Sequence, residues 1–257
     1  MKPNLRRVAA PWFQCYRPVL VASARLVCFP HAGGGASFFR PWVDDLPAGI
    51  ELFSAQYPGR EDRLTEPFAS DIRELSAGFA QVLTSASDLP LVLFGHSLGA
   101  AIAYEVAGML QAEGQSPSLL VVSGRQEPFD PSRLVHLMDD DSLWADVAKA
   151  GGTAQQVLES PEIKAMMLPV LRADYRLSET YRPSGNPLLK CPVLAVSGDK
   201  DADVDLAVLP KWGELTEADF DIRVFEGDHF YLKAKRSALI GEISRRLRQQ
   251  TSESVMP

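Results

Sequence analysis

The stretch Leu91-Val92-Leu93-Phe94-Gly95-His96-Ser97-Leu98-Gly99-Ala100-Ala101-Ile102-Ala103-Tyr104-Glu105 sets how the rest of the chain is read. Leu91 to Phe94 are continuously apolar, with no alternation, as in a strand covered on both faces of a parallel sheet. Gly-x-Ser-x-Gly follows, and then small residues suited to a helix packed closely on that sheet. The pentapeptide alone would arise by chance in about one chain in ten of this length. Strand, tight turn and helix in succession is the context that gives it chemical meaning. Gly95 and Gly99 leave room for a nucleophile on a strained turn, so Ser97 is the candidate nucleophile. The helix start places the Leu98 N–H where an oxyanion can form.

Working outward, Arg25 to Phe29, Glu51 to Gln56, Leu119 to Val122, Val193 to Val196 and Asp221 to Phe225 read as further strands, with helix-compatible segments between them. This alternation predicts an open, doubly wound α/β domain with a mostly parallel sheet. The rhythm lapses between Glu127 and Pro187, about sixty residues in which Leu134 to Met138, Ser142 to Ala150, Ala154 to Leu158 and Glu162 to Thr180 look helical. A helical insertion between two strands is expected to cap the carboxyl edge of the sheet, where ligands bind in this architecture.

A serine nucleophile needs a base. Where such a turn sits on an open α/β sheet the order along the chain is nucleophile, acid, base, which leaves His136 and His229 of the four histidines. His136 precedes any plausible acid and reads as a residue of the helical insertion. His229 follows the strand Asp221 to Phe225 through a Glu-Gly-Asp loop, at the same edge as Ser97, and is the chosen base; His96 is read as packing the turn. For the acid, Ser197-Gly198-Asp199-Lys200-Asp201-Ala202-Asp203 follows the strand Val193 to Val196. Asp201 is the first choice because it stands past the turn that Gly198 permits. Asp199 is its main competitor and Glu127 a remote third, Asp203 and Asp205 read as helix caps, and Asp228 as a loop residue. Phe29-Pro30-His31-Ala32-Gly33-Gly34-Gly35 follows the first strand, and its glycines let backbone approach a reacting carbonyl. The Ala32 N–H is therefore the second candidate oxyanion donor; the Lys-Ser/Thr ending of a phosphate-binding loop is absent.

Composition narrows the partners. Lys and Arg number 26 against 33 Asp and Glu, a net charge of −7, which is the wrong sign for binding a phosphate backbone. Cys15, Cys28 and Cys191 have no CxxC spacing and cannot all pair within the chain, so a reducing compartment fits and no metal is expected. Met1 to Pro11 lacks the apolar core of a secretory signal, and no stretch reaches the roughly 18 apolar residues of a membrane helix. A cytoplasmic monomer is the expectation, with no nucleic-acid or membrane partner.

These motifs resemble those of the type II thioesterases, stand-alone enzymes of the α/β-hydrolase fold that serve polyketide synthases and nonribosomal peptide synthetases. The resemblance rests on Phe29 to Gly34, Tyr57-Pro58-Gly59-Arg60-Glu61-Asp62-Arg63, Gly95 to Ala100, Leu168-Pro169-Val170-Leu171-Arg172-Ala173-Asp174-Tyr175, Gly198 to Asp201 and Gly227-Asp228-His229-Phe230-Tyr231. They span roughly residues 26 to 232 in the family's order. The resemblance implies a single α/β-hydrolase domain over 1–257, with the insertion at about 127–187 as a mobile lid over an acyl pocket. It implies Ser97, Asp201 and His229 as the triad, and no cofactor. It also implies acyl groups held as thioesters on the phosphopantetheine arm of acyl or peptidyl carrier proteins as substrates. The same triad would serve acyl-CoA or small-ester hydrolysis, or acyl transfer; a non-catalytic small-molecule-binding protein is the reading from another class. The Tyr57 to Arg63 segment is open between a loop tied by local ion pairs and a substrate-side role. Met138, Trp144, Met166 and Met167 are lid residues open between packing that sets the depth of the acyl pocket and a place in the core. Arg125, Arg133 and Arg172 are candidates for a basic patch that could meet an acidic carrier.

Overall fold

The computed structural model describes residues 4–86, 89–127, 134–153, 155–183, 185 and 187–253. Seven strands form one sheet: β1 (Phe13–Gln14), β2 (Ala24–Phe29), β3 (Ile50–Ala55), β4 (Leu91–His96), β5 (Leu119–Ser123), β6 (Val193–Gly198) and β7 (Phe220–Phe225). Their spatial order is β1-β3-β2-β4-β5-β6-β7. Only β1 runs antiparallel to its neighbour, so the sheet is mostly parallel, as the strand–helix alternation predicts. All six expected strands are present; β1 is the addition, a two-residue strand too short to show any periodicity.

The helices are α1 (Leu5–Val8), α2 (Ile72–Ala86), α3 (Leu98–Ala112), α4 (Asp140–Lys149), α5 (Gln155–Leu158), α6 (Pro161–Thr180), α7 (Tyr231–Ala234) and α8 (Arg236–Glu253). The expected helix at Leu134 to Met138 is a single 3-10 turn, Val135–Leu137. Ala154, the expected start of α5, lies outside the described residues.

Alternate residues of the central strands enter different cores. Val27, Phe29, Leu91 and Leu93 face α2 and α3, while Leu26, Cys28, Val92 and Phe94 face Phe39, Trp42 and α8. Burial on both faces is why these strands read as unbroken apolar runs. A separate small cluster, Val135, Leu143, Trp144, Leu168 and Leu171, holds the inserted helices together.

The chain lays β3 on one side of β2 and then β4 on the other, so strand order reverses between β2 and β4. A crevice opens outside the carboxyl ends at such a reversal. Register aligns Phe29 with Gly95, His96 with Ser123 and Gly198 with Phe225. The loops after β2, β4, β6 and β7 therefore all leave the sheet at one edge. Among the described residues no helix is long and apolar enough to cross a membrane.

Candidate active site

Ser97 stands between β4 and α3 with φ 55° and ψ −115°, a conformation L side chains rarely adopt. The turn closes because its glycines carry no side chains. A Cβ on Gly95 would lie 2.1 Å from the Gly99 oxygen, and one on Gly99 would lie 2.0 Å from the Phe29 oxygen. The Ser97 N–H donates to the Ser123 oxygen at 2.7 Å, which ties the turn to β5. Leu98 is the first residue of α3, and N–H groups in a first helical turn have no intrahelical acceptor.

His229 is buried on the loop after β7, and its Nδ1 lies 2.8 Å from Asp201 Oδ2, on the loop after β6. An ionised carboxylate can only accept, so Nδ1 carries the proton and Nε2 is left as the basic nitrogen. Asp201 Oδ1 in turn accepts the Asp203 N–H at 3.0 Å.

The rival acids are engaged elsewhere. Asp199 Oδ1 accepts the Gly227 N–H at 2.8 Å, fixing the turn that leads to His229, and Glu127 pairs with Lys211. Asp205 accepts the Ala207 N–H within its own turn, not at a helix start, and Asp203 lines the cavity described below. Asp228 accepts the Phe230 N–H, a local loop contact. His136 pairs with Glu179 on the 3-10 turn of the insertion.

His96 packs beneath the turn, fully buried, with Nδ1 3.0 Å from Ser123 Oγ, which in turn meets the Tyr231 hydroxyl at 2.8 Å. Its ring centroid lies 4.8 Å from that of His229 and 5.8 Å from that of His31. Burial, and then the charge His229 would carry, hold His96 well below the ordinary histidine range. The same two causes, in the same order, bring His31 down to about 3. Burial pushes the thiols the other way, Cys15 to about 11 and Cys191 to about 12, which disfavours thiolate chemistry at either.

Ser97, His229 and Ala32 line one cavity of about 220 Å³. Its remaining walls come largely from the inserted helices: Trp144 and Val147 of α4, Val157 of α5, and Ile163, Met167, Leu171 and Tyr175 of α6. Trp144 and Met167 are where the sequence suggests, but Met138 and Met166 are 43% and 63% exposed and do not line it. Asp201, Asp203 and His229 are the one group among the described residues able to offer three donor atoms to a cation. Two of those atoms, His229 Nδ1 and Asp201 Oδ2, already bond each other, which favours reading them as a base and its orienting carboxylate.

Two of the three residues named for a basic patch are engaged by other groups of the chain. Arg125 is buried and bonded to Ser178 and the Glu127 carbonyl, and Arg172 is held by Asp140 and the carbonyls of His136 and Met138. Arg133 lies outside the described residues. The Tyr57 to Arg63 segment is tied locally only in part. Arg63 pairs with Glu66, whereas Arg60 reaches Asp174 of α6, a buried carboxylate to which sequence reasoning attached no role. The available signal was an acid among the apolar residues Leu168, Val170, Leu171 and Leu177 of one helix.

Comparison with known proteins is consistent in kind. The family model described as "Thioesterase domain" matches residues 24–247. The chain is 40% identical over 240 residues to the probable cadicidin biosynthesis thioesterase of Streptomyces griseus, covering 93% of this chain and 66% of that protein. It is 38% identical over 240 residues to thioesterase PikA5 of Streptomyces venezuelae, covering 91% of this chain and 84% of that one. Among solved structures it resembles the type II thioesterase BorB of the borrelidin biosynthetic cluster, with TM-score 0.85, 39% identity and coverage of 92% and 97%.

Proposed function

Because the chain belongs to the thioesterase family, we propose that it hydrolyses acyl thioesters on the phosphopantetheine arm of acyl or peptidyl carrier proteins. Aberrant or stalled acyl groups in polyketide or nonribosomal peptide synthesis would be its targets. Relatives named for cadicidin and borrelidin biosynthesis support this choice of pathway. The single observation that carries the chemistry is the His229–Asp201 hydrogen bond beside a cavity that also receives Ser97.

In this reading Ser97 Oγ attacks the thioester carbonyl while His229 Nε2 takes the hydroxyl proton, and Asp201 stabilises the imidazolium. The Ala32 and Leu98 N–H groups hold the oxyanion. The tetrahedral intermediate collapses with loss of the pantetheine thiolate, which takes the proton from His229 as it departs and needs that help far less than an amine would, so His229 is neutral again. Water then attacks the acyl-serine with His229 as base, and the free acid departs. The acyl chain lies against Trp144, Met167 and Leu171, and the inserted helices α4 to α6 act as the lid that selects it. The protein requires no cofactor of its own, since the pantetheine arm belongs to the substrate.

Ser97→Ala is expected to lower kcat by on the order of 10⁴ or more while leaving the fold intact. The assay presents one acyl group on carrier protein, on CoA and on a simple ester, with release followed by mass spectrometry. Retained turnover in the variant defeats the mechanism, and equal kcat/KM for the three donors defeats the carrier assignment in favour of a general acyl-CoA or ester hydrolase.

A further inference from the structure

Two of the motifs quoted above, Tyr57 to Arg63 and Leu168 to Tyr175, take no part in the triad, yet they meet on the loop that bears Ala32. Asp174 of α6 and Arg60 are both buried and form a two-pronged pair, with Arg60 Nη2 2.8 Å from Asp174 Oδ1 and Nη1 on Oδ2. Both also grip the loop. Asp174 Oδ2 accepts the Gly33 N–H at 2.7 Å, and Arg60 Nη1 donates to the Gly34 carbonyl at 3.3 Å. Gly33 has φ +78°, and a Cβ there would come within 2.6 Å of Leu171 Cδ2, so the loop is seated directly on the α6 face that carries Asp174.

The consequence for Ala32 follows from peptide planarity. The Ala32 N–H and the His31 carbonyl share one rigid plane and point in opposite directions. The His31 oxygen accepts the Gly34 N–H at 3.0 Å, so the conformation of Gly33 and Gly34 sets the tilt of that plane. On the near side the Tyr57 hydroxyl holds the Pro30 carbonyl at 2.9 Å. Gly33 and Gly34, the most permissive residues of the loop, are thus the ones clamped, and the clamp is charged, bidentate and shielded from water.

We propose that Asp174 and Arg60 are positioning residues that aim the Ala32 N–H at the reacting carbonyl, so that seating of α6 and assembly of the oxyanion site are one event. The inference rests on the reading of Ala32 as an oxyanion donor. Pairing with Arg60 also neutralises Asp174, which would otherwise set a bare carboxylate close to a developing negative charge.

The test uses Asp174→Asn, Arg60→Gln and the double variant, with Ser97→Ala alongside. Substrates are a p-nitrophenyl acyl ester and an acyl N-acetylcysteamine thioester, so the carrier plays no part. Asp174→Asn and Arg60→Gln should each lower kcat by on the order of tenfold to a hundredfold, less than outright removal of an oxyanion donor costs, with KM within about twofold of the parent. Inhibition by an alkylboronic acid, whose adduct with Ser97 places an oxygen in the same site, should weaken by a similar factor. The double variant keeps an Asn oxygen for the Gly33 N–H with no buried charge, and should lose less than the product of the two single losses even if Asp174→Asn alone folds poorly. A folded Asp174→Asn with kcat near that of the parent, or boronate affinity unmoved while kcat falls, or losses that multiply, overturns the inference and leaves the proposed function standing. An active Ser97→Ala removes both.

Discussion

His229 shares its surroundings with two further imidazoles, both brought below the ordinary histidine range by burial first. His31 lies between Phe38 and Phe230, with ring centroids 4.5 and 4.7 Å away, and its Nδ1 is buried with no hydrogen-bond partner among the described residues. Burial brings folded His31 down to about 3 against about 6.5 for the unfolded residue, so between these values the unfolded chain binds the extra proton. Stability from this site is whole above about 6.5 and is lost as pH falls toward 3. His31→Phe, which suits the aromatic surroundings, should therefore flatten the fall of Tm between pH 6.5 and 4; a Tm profile parallel to that of the parent refutes a His31 that the fold holds neutral. The choice of Asp201 over Asp199 also belongs to this scale. Two residues apart in one loop, they are nearly indistinguishable in sequence, and only the folded turn sends Asp199 to the Gly227 N–H and Asp201 to His229.

At the scale of elements, α6 combines two duties. Pro169 interrupts its hydrogen-bond ladder, since proline has no N–H to offer. Ile163 and Met167 before Pro169 and Leu171 and Tyr175 after it face the cavity, while Asp174 clamps the Ala32 loop and Tyr181 at the C-cap donates to Glu105 of α3 at 2.5 Å. Glu105 is fully buried in the helix that begins at Ser97, so the far end of the inserted segment is fastened to the nucleophile's own helix. Tyr181→Phe removes that hydroxyl while keeping the ring, and should cost about 0.5–1.5 kcal/mol, the net worth of one intramolecular hydrogen bond. Urea denaturation reads this as a lower midpoint at unchanged slope; an unmoved midpoint would show the anchor to be immaterial. The helical insertion was legible from failed strand rhythm and breakers such as Pro161. Its anchoring was not, because Glu105 and Tyr181 are 76 positions apart and neither neighbourhood hints at the other.

For the molecule as a whole, the charge of −7 bears on how a carrier is met. Arg125 and Arg172, which could have formed a local basic patch, are committed to internal contacts. If the proposed carrier is acidic, the net charges of the two proteins repel, and salt screens that repulsion over a Debye length of about 10 Å at 0.1 M. Raising salt from about 0.02 to 0.2 M should lower KM for an acyl group on an acidic carrier by roughly twofold or more, and leave KM for the uncharged N-acetylcysteamine thioester unchanged. A KM for the carrier substrate that rises with salt would instead reveal attractive steering through a basic surface.

Strand positions, the turn at Ser97 and the chain order of Ser97, an Asp in the loop after β6 and His229 were all readable from the residues alone. Each is written in short-range terms: apolar runs for strands buried on both faces, glycines where Cβ atoms would collide, loops that follow strands. The antiparallel strand Phe13–Gln14 left no such trace, since two residues hold no period. Nor did the Arg60–Asp174 clamp, whose members stand 114 positions apart and are joined only when α6 folds back over the sheet edge. Local sterics and burial leave their pattern in neighbouring residues, whereas a pairing between distant segments depends on how whole elements pack. The candidate triad belongs mostly to the first kind of information, and the device that would aim its oxyanion donor belongs wholly to the second.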